Sequence, residues 1–178
     1  MDVQFAYLQV IISLKGNETA IGWVFVGISN QGGVAAGFKS IENTVAEMQF
    51  TLELLPQLSA IYFCPDFEGN ILYKVSSKKI ENWERSQFPH PNVKGELLYQ
   101  SFRKPGSGMI MKGIDDLDEM PDQLWMIGDH QEDEAAAQTA GVNFMWADIW
   151  RNRFLPRMYE FKLITKEQVE FLEGIKLS

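Results

Sequence analysis

The chain has 178 residues, of which 46% are hydrophobic, and this length and composition predict a single domain over residues 1–178 with one compact core. Its 24 acidic residues outnumber its 16 basic residues, and the resulting net charge of −8 argues against a nucleic-acid partner, whose phosphates require clustered Lys and Arg. No apolar run approaches the roughly 20 residues of a membrane span, and no signal-like segment opens the sequence, so we expect a cytoplasmic protein without a membrane partner.

Short apolar runs and longer amphipathic segments alternate in the first third of the chain. Residues 23–28 and 60–64 predict two buried strands, and residues 40–55 predict the helix between them, with Ser40 as its N-cap. Residues 5–15 contain a further apolar run. A strand at residues 10–12 with the following turn at residues 13–17 would leave only the five residues 18–22 before the strand at 23–28, too few for the crossover that two parallel strands require, so a helix is predicted over residues 5–15 instead.

The alternation resumes after a polar, turn-rich stretch over residues 66–101, which we interpret as an insertion or a long functional loop rather than a further unit of the sheet. The later predicted elements are helices at about residues 106–116 and 132–140, strands at 123–127 and 142–146, and a last helix capped by Thr165. This order predicts an α/β fold, with a Rossmann-type, doubly wound and mainly parallel sheet that has helices on both faces.

In such a sheet, ligands bind beyond the carboxyl ends of the strands, and the first loop of interest lies there. Ser29 follows the strand at 23–28 and is followed by Asn30, Gln31, Gly32 and Gly33. A hydroxyl and exposed N–H groups can hold an oxyanion, and glycines allow a ligand to approach the backbone. The same five residues would also make an ordinary turn.

Two further loops carry charged residues that suit a phosphate and a metal ion. Lys104 precedes a helix and could neutralise a phosphate, although a solvated surface lysine is the alternative. Asp129 ends the strand at 123–127, and Asp133 comes four residues later. Carboxylates at a strand end suit Mg²⁺, whereas acids at a helix N-terminus also interact favourably with the helix dipole.

Taken together, Ser29 in GISNQGG, Lys104 in FRKPGSGM, and Asp129 with Asp133 in LWMIGDHQED resemble the haloacid-dehalogenase (HAD) phosphohydrolases. The resemblance spans about residues 23–150. In detail it is to the branch that contains histidinol-phosphate phosphatases, heptose-bisphosphate phosphatases and polynucleotide 3′-phosphatases. It implies a Mg²⁺-dependent phosphatase that acts on a small phosphorylated substrate.

The resemblance also implies a role for each matching residue. Ser29, Asn30, Gln31 and Gly32 would bind the phosphoryl group together with Lys104, so that Ser29, Lys104 and Asp133 are the implied catalytic residues. Asp129 would bind Mg²⁺, and Asp133 would orient that ligand or Lys104. Zinc-binding members of the branch use several cysteines between the second strand and the lysine loop. Because Cys64 is the chain's single cysteine, no zinc is expected.

One part of the family's pattern has no match in the chain. Family members begin with a strand that ends in DxDxT, whose first Asp is the nucleophile, but Asp2 is the only aspartate before Asp66. An alignment of residues 13–17 with this motif is rejected on the spacing given above. Truncation, a partner polypeptide that supplies the motif, and a pseudoenzyme are the three explanations. In each case we expect this chain to be inactive, and a non-catalytic HAD-derived binding or interaction domain is the alternative function.

The missing strand has a consequence for assembly. In the family this strand lies inside the sheet, so its loss would leave two facing edges with unpaired N–H and C=O groups. We therefore expect the chain to form a homodimer or to bind a partner that supplies the strand. Alternatively, residues 10–14 replace the strand, an outcome that would overturn the helix predicted over residues 5–15.

Overall fold

The computed structural model describes residues 9–17, 20–88, 101–117, 121–152 and 165–174. The strands in these ranges are β1 (Gln9–Asn17), β2 (Ala20–Asn30), β3 (Leu58–Cys64), β4 (Ile71–Ser76), β5 (Ile80–Glu84), β6 (Gln123–Gly128) and β7 (Asn143–Trp146). The helices are α1 (Gly32–Ala35), α2 (Ile41–Leu54), α3 (Gly108–Asp115), α4 (Gln131–Ala140), α5 (Ala147–Arg151) and α6 (Lys166–Gly174), with a 3₁₀ turn at Arg85–Gln87.

The strands form one sheet in the order β5-β4-β3-β2-β1-β6-β7. Only the pairs β2–β3 and β6–β7 are parallel, and the other four neighbouring pairs are antiparallel. The α/β class is confirmed, but the mainly parallel sheet predicted from the sequence is wrong. The reason is local, because β1 and β2, and likewise β4 and β5, are joined by connections too short for a parallel crossover.

The N-terminal strand β1 occupies the centre of the sheet and is antiparallel to both of its neighbours. Val10 is paired with Gly27 of β2 on one side and with Ile127 of β6 on the other. The helix predicted over residues 5–15 is therefore wrong. A crossover is required only between parallel strands, whereas the two residues that separate β1 from β2 suit an antiparallel hairpin.

The position of β1 also removes the two facing edges on which the assembly prediction depended. Both β2 and β6 pair with β1 across this position. Residues 10–14 therefore replace the central strand, as the alternative expectation proposed. Homodimerisation and a partner that supplies a strand stay predictions, but their original physical reason does not hold for the described part of the chain.

The hairpin β4–β5 extends the sheet beyond β3. Ala60 and Phe63 of β3 are paired with Ser76 and Tyr73 of β4. Residues 71–84 are therefore part of the sheet, and the interpretation of residues 66–101 as an insertion outside it is wrong for this segment. Residues 89–100 of the predicted insertion lie outside the described residues.

Helices cover both faces of the sheet, as predicted. On one face, α3 and α4 pack on β2, β3, β4 and β6 through a core that includes Ile28, Tyr62, Met109, Met126 and Ala136. On the other face, α2 contributes Met48 and Leu52 to one cluster, and α5 and α6 contribute Ile149 and Phe171 to a second. These layers leave the carboxyl ends of β2, β3, β6 and β7 at one edge, where the loops of interest lie.

Several local predictions agree with the structure. The Ser40 hydroxyl accepts a hydrogen bond from the Asn43 N–H (3.1 Å) at the start of α2, and Thr165 accepts one from the Gln168 N–H (3.2 Å). Gly141 ends α4 with a φ of 70°, which favours glycine. Among the described helices, none is long and apolar enough to cross a membrane.

The position of β1 predicts slow hydrogen exchange in a segment near the N-terminus. Because β1 has a neighbour on each side, the backbone amides of residues 11–13 should exchange as slowly as those in the middle of β2 and β6. Residue-resolved hydrogen–deuterium exchange measures this directly. Rapid exchange at residues 11–13, together with slow exchange in β6, would contradict the central placement.

Candidate active site

Three loops meet at one edge of the sheet and bring together the residues predicted from the sequence. Ser29 lies at the end of β2, Lys104 lies in the loop before α3, and Asp133 lies in the first turn of α4. All three residues are buried, with exposed fractions of 2%, 5% and 1%. Burial of a lysine and an aspartate is rare unless the two charges are paired.

Lys104 and Asp133 form a buried ion pair with a distance of 2.7 Å between Nζ and Oδ1. Burial lowers the pKa of the Lys104 ammonium below its ordinary value, and the adjacent Asp133 carboxylate opposes this shift without cancelling it. The second oxygen of Asp133 accepts hydrogen bonds from the N–H groups of Asp129 (3.1 Å) and His130 (2.9 Å). Asp133 therefore holds both the lysine and the strand-end loop, which fits its implied orienting role.

Gly128 is required for this arrangement. A Cβ at residue 128 would lie 2.4 Å from the Cβ and 2.6 Å from the Oδ2 of Asp133, closer than real side-chain contacts allow. By contrast, a Cβ at Gly33 would meet nothing within 4 Å, and one at Gly32 would make only ordinary contacts. Packing within the described chain therefore explains the glycine at residue 128, but not those at residues 32 and 33.

Asn30 joins the Ser29 loop to the Lys104 loop. Its side-chain Nδ2 donates to the Lys104 carbonyl oxygen, and its Oδ1 accepts from the Lys104 N–H, both at 3.0 Å. Through these two bonds, the Asn30 side-chain amide positions the Lys104 loop relative to the Ser29 loop. A direct substrate contact by Asn30 stays a prediction.

Gln31 contacts Ser29 and is itself fixed through its backbone. Its Nε2 donates to the Ser29 Oγ at 2.8 Å, and its own N–H donates to the Cys64 carbonyl at the end of β3 at 2.8 Å. The Gln31 N–H is therefore occupied. The N–H groups of Gly32 and Gly33, at the start of α1, have no partner within that helix and are the better donors for an oxyanion.

Sequence reasoning missed the loop after β3, which packs against the Lys104 loop. The Gly69 carbonyl accepts from the Phe102 N–H at 2.9 Å, and Gly69 has a φ of 72°. Asp66 holds the start of this loop, because its carboxylate accepts from the N–H groups of Asn70 (2.7 Å) and Ile71 (3.0 Å). An aspartate followed closely by Gly-Asn is a turn signal that could have indicated this loop.

Arg103 adds a second cationic side chain beside the Ser29 loop. Its guanidinium lies 5.3 Å from the centroid of the exposed Phe67 ring, and its Nη2 would be 3.5 Å from a Cβ at Gly32. The Nη1 of Arg103 is buried without a hydrogen-bond partner among the described residues. Two cationic side chains, Lys104 and Arg103, therefore lie beside the Ser29 loop, although the whole chain is acidic.

Asp129 is the predicted metal ligand, and its side chain is 30% exposed at the end of β6. Its two oxygens lie 3.6 Å from His130 Nε2 and 3.8 Å from Arg151 Nη2. Across the described residues, no group of three or more His, Cys, Asp or Glu side chains could hold a metal ion. A single carboxylate at this edge fits a Mg²⁺ that is shared with a phosphate and water, but not an ion held by protein groups alone.

Cys64, the single cysteine, is fully buried at the end of β3. Burial raises the pKa of its thiol to about 12, so the thiol is protonated near neutral pH. Its Sγ lies 3.3 Å from the Asp66 Oδ1, to which it donates. Cys64 is therefore a buried small side chain and not a reactive thiol.

Comparison with known proteins links this site to one family. Residues 101–147, which contain Lys104, Asp129 and Asp133, match the family model described as HAD-hydrolase-like. The match covers the lysine loop, β6 and α4, and does not extend to Ser29. No solved structure matches the chain significantly.

Two curated relatives have names that describe a phosphatase. The chain is 28% identical over 146 residues to the D-glycero-alpha-D-manno-heptose-1,7-bisphosphate 7-phosphatase of Burkholderia mallei, over 78% of this chain and 65% of the relative. It is 32% identical over 127 residues to the D-glycero-beta-D-manno-heptose-1,7-bisphosphate 7-phosphatase of Haemophilus ducreyi, over 68% of this chain and 57% of the relative. The chain thus spans less than two thirds of the length of each relative.

The buried ion pair predicts a large loss of stability when one partner is removed. Lys104→Met should lower the free energy of unfolding by about 3–5 kcal/mol, because Asp133 would stay buried without its cation. Chemical denaturation measures this change. Lys79→Met is the matched control, since Lys79 is 63% exposed and its pair with Glu81 should contribute only about 0–1 kcal/mol. Equal effects of the two substitutions would contradict a stabilising role for the buried pair.

The Asp66 loop predicts a pH dependence at the acid side. Partial burial raises the pKa of Asp66, but hydrogen bonds from Asn70 and Ile71 outweigh it and lower the pKa below its ordinary value. A lowered carboxyl pKa stabilises the fold above about pH 4, and this contribution is lost as the pH falls through the lowered pKa. Asp66→Asn should therefore lose less stability between pH 6 and pH 3 than the unsubstituted chain, as measured by thermal unfolding. Parallel curves for the two proteins would contradict this assignment.

Proposed function

We propose that the chain is a HAD-like phosphatase domain that binds the phosphate group of a small phosphorylated molecule at the Ser29 and Lys104 loops. The observation that carries the proposal is the buried ion pair of Lys104 and Asp133, joined to the Ser29 loop through Asn30. A phosphate would accept hydrogen bonds from the Ser29 hydroxyl and from the N–H groups of Gly32 and Gly33, and Lys104 would stabilise its charge.

We propose Mg²⁺ as the cofactor, with Asp129 as its protein ligand. The carboxylate of Asp129 is partly exposed at the same sheet edge, and Mg²⁺ usually binds through one or two carboxylates, substrate phosphate and water. When bound, the ion would neutralise phosphate charge. Phosphate and Mg²⁺ should therefore bind more tightly together than either does alone.

We further propose that this chain binds phosphate without hydrolysing the ester. A HAD reaction needs a carboxylate nucleophile at the end of the central strand. Here the central strand β1 runs in the opposite direction, and Ser13, which is paired with Val24, lies well away from Ser29 along β2. Asp133 is unsuitable as a nucleophile, because its oxygens already bind Lys104 and two N–H groups.

The alternative is a non-catalytic interaction domain, and one observation favours it. The segment that contains α2 exposes Phe38, Phe50 and Leu54 with exposed fractions of 90%, 57% and 44%. Large exposed apolar side chains that form one patch often mark protein–protein contacts, and Phe50 and Leu54 lie one turn apart in α2. Phe38 adjoins the proposed phosphate loop, because its N–H donates to the Gly33 carbonyl at 2.9 Å, whereas Phe50 and Leu54 lie within α2, so substitutions of Phe50 and Leu54 test the interaction domain.

Titration calorimetry with inorganic phosphate, with and without Mg²⁺, tests the proposed function. We expect binding by the unsubstituted chain, tighter binding with Mg²⁺, and about a tenfold weaker affinity for Ser29→Ala, which removes one hydroxyl donor to a charged group. Lys79→Met is the control and should bind like the unsubstituted chain.

The absence of heat with and without Mg²⁺ would overturn the phosphate site and leave the interaction domain as the better proposal. A second assay measures phosphate release from heptose 1,7-bisphosphate, because the relatives are named for that substrate. We expect none from this chain. Release above the rate of a Lys104→Met variant would contradict the proposed lack of hydrolysis.

A further inference from the structure

Ser29 is connected to the start of α2 by a chain of side-chain contacts. The Ser29 Oγ accepts from Gln31 Nε2 at 2.8 Å, and Gln31 Oε1 faces Lys39 Nζ at 3.5 Å. Lys39 in turn forms an ion pair with Glu47 of α2. The side chain of Lys39 is only 21% exposed, whereas that of Glu47 is 60% exposed. The contacts therefore run from the protein surface to the buried hydroxyl.

Lys39 determines which way the Gln31 amide faces. An ammonium group can only donate hydrogen bonds, so the atom of Gln31 that faces Lys39 must be the carbonyl oxygen. The NH₂ group then faces Ser29, to which it donates. The Gln31 backbone is held separately by its N–H bond to the Cys64 carbonyl, so the side-chain amide can reverse its orientation while the backbone stays in place.

This orientation decides what the Ser29 hydroxyl can do. Its oxygen is occupied as an acceptor by the Gln31 NH₂ group, which leaves the hydroxyl proton for a second partner. In the part of the chain that the structure describes, the hydroxyl makes no other hydrogen bond. Ser29 is 2% exposed. A buried hydroxyl whose proton is not engaged binds a phosphate oxygen more strongly than one that must first break a hydrogen bond to another acceptor.

If the Gln31 amide were reversed, its oxygen would face Ser29. The hydroxyl would then donate to Gln31 rather than to a phosphate. The contact with Lys39 disfavours the reversed state, because the NH₂ group and the ammonium are both donors. Lys39 thereby acts on Ser29 without touching it.

We propose that Lys39 is a positioning residue for the phosphate site, which orients the Gln31 amide so that the Ser29 hydroxyl donates to the bound anion. The inference rests on the proposed phosphate site and assigns part of its affinity to a residue outside it. Lys39 also carries a charge, but its pairing with Glu47 reduces its long-range attraction for an anion. A positioning effect requires Gln31, whereas a charge effect does not.

A double-mutant cycle separates these two effects. The four proteins are the unsubstituted chain, Lys39→Met, Gln31→Met and the double variant, and the probe is inorganic phosphate with Mg²⁺ in titration calorimetry at about 0.15 M salt. We expect Lys39→Met to weaken phosphate binding about fivefold when Gln31 is present, and to have almost no effect when residue 31 is Met. Thermal unfolding of all four proteins shows whether each is folded.

Each outcome decides a different point. If phosphate binds but Lys39→Met has no effect, or has the same effect in both backgrounds, the positioning role is overturned and the proposed function stands. If the unsubstituted chain binds no phosphate, the proposed function is overturned and the positioning role with it. Lys79→Met, which removes a lysine from another exposed ion pair, is the control for the loss of one positive charge.

Discussion

The buried ion pair between Lys104 and Asp133 is the interaction on which the candidate site depends. Two charges lie in the interior at 2.7 Å, and this arrangement is stable only when the remaining hydrogen-bonding groups around them are also satisfied. The Oδ2 atom of Asp133 meets that condition through the N–H groups that follow β6, and the Lys104 backbone does so through Asn30, while Asp133 Oδ1 has the Lys104 ammonium beside it. The pair therefore requires three loops to be in place together, which fixes the site as one unit.

The second constraint is the direction of the central strand. β1 fills the position between β2 and β6, where its backbone groups pair on both sides, so the sheet is continuous through this part of the chain. Because β1 is antiparallel to both neighbours, its first residues and not its last lie near the edge that carries Ser29 and Asp129. The loops of a phosphate site can thus lie together at one edge of the sheet although the strand between them has its carboxyl end at the opposite edge.

The net charge of the chain and the few charges around the candidate site affect the binding of different classes of ligand. The net charge of −8 opposes extended polyanions, whose binding depends on many separate phosphate contacts. A single phosphate group responds instead to the few groups around it, where Lys104 is buried and Arg103 lies beside the Ser29 loop. An acidic protein can therefore bind a small anion, provided that its cations are positioned by the fold.

The sequence by itself determined the α/β class, most helices and strands after residue 20, and the meeting of Ser29, Lys104 and Asp133 at one edge. Apolar runs, helix caps such as Ser40 and loops after strands depend on nearby residues only, so the folded structure retains them. Only the tertiary structure determined that residues 9–17 form the central strand and that the β4–β5 hairpin belongs to the sheet. An apolar run of that length is compatible with a helix or a strand, and the direction of a strand depends on which partners are available. In the sheet, β1 pairs with β2 on one side and with β6 on the other. Its connection to β2 is short, so it can pair with β2 only as an antiparallel hairpin.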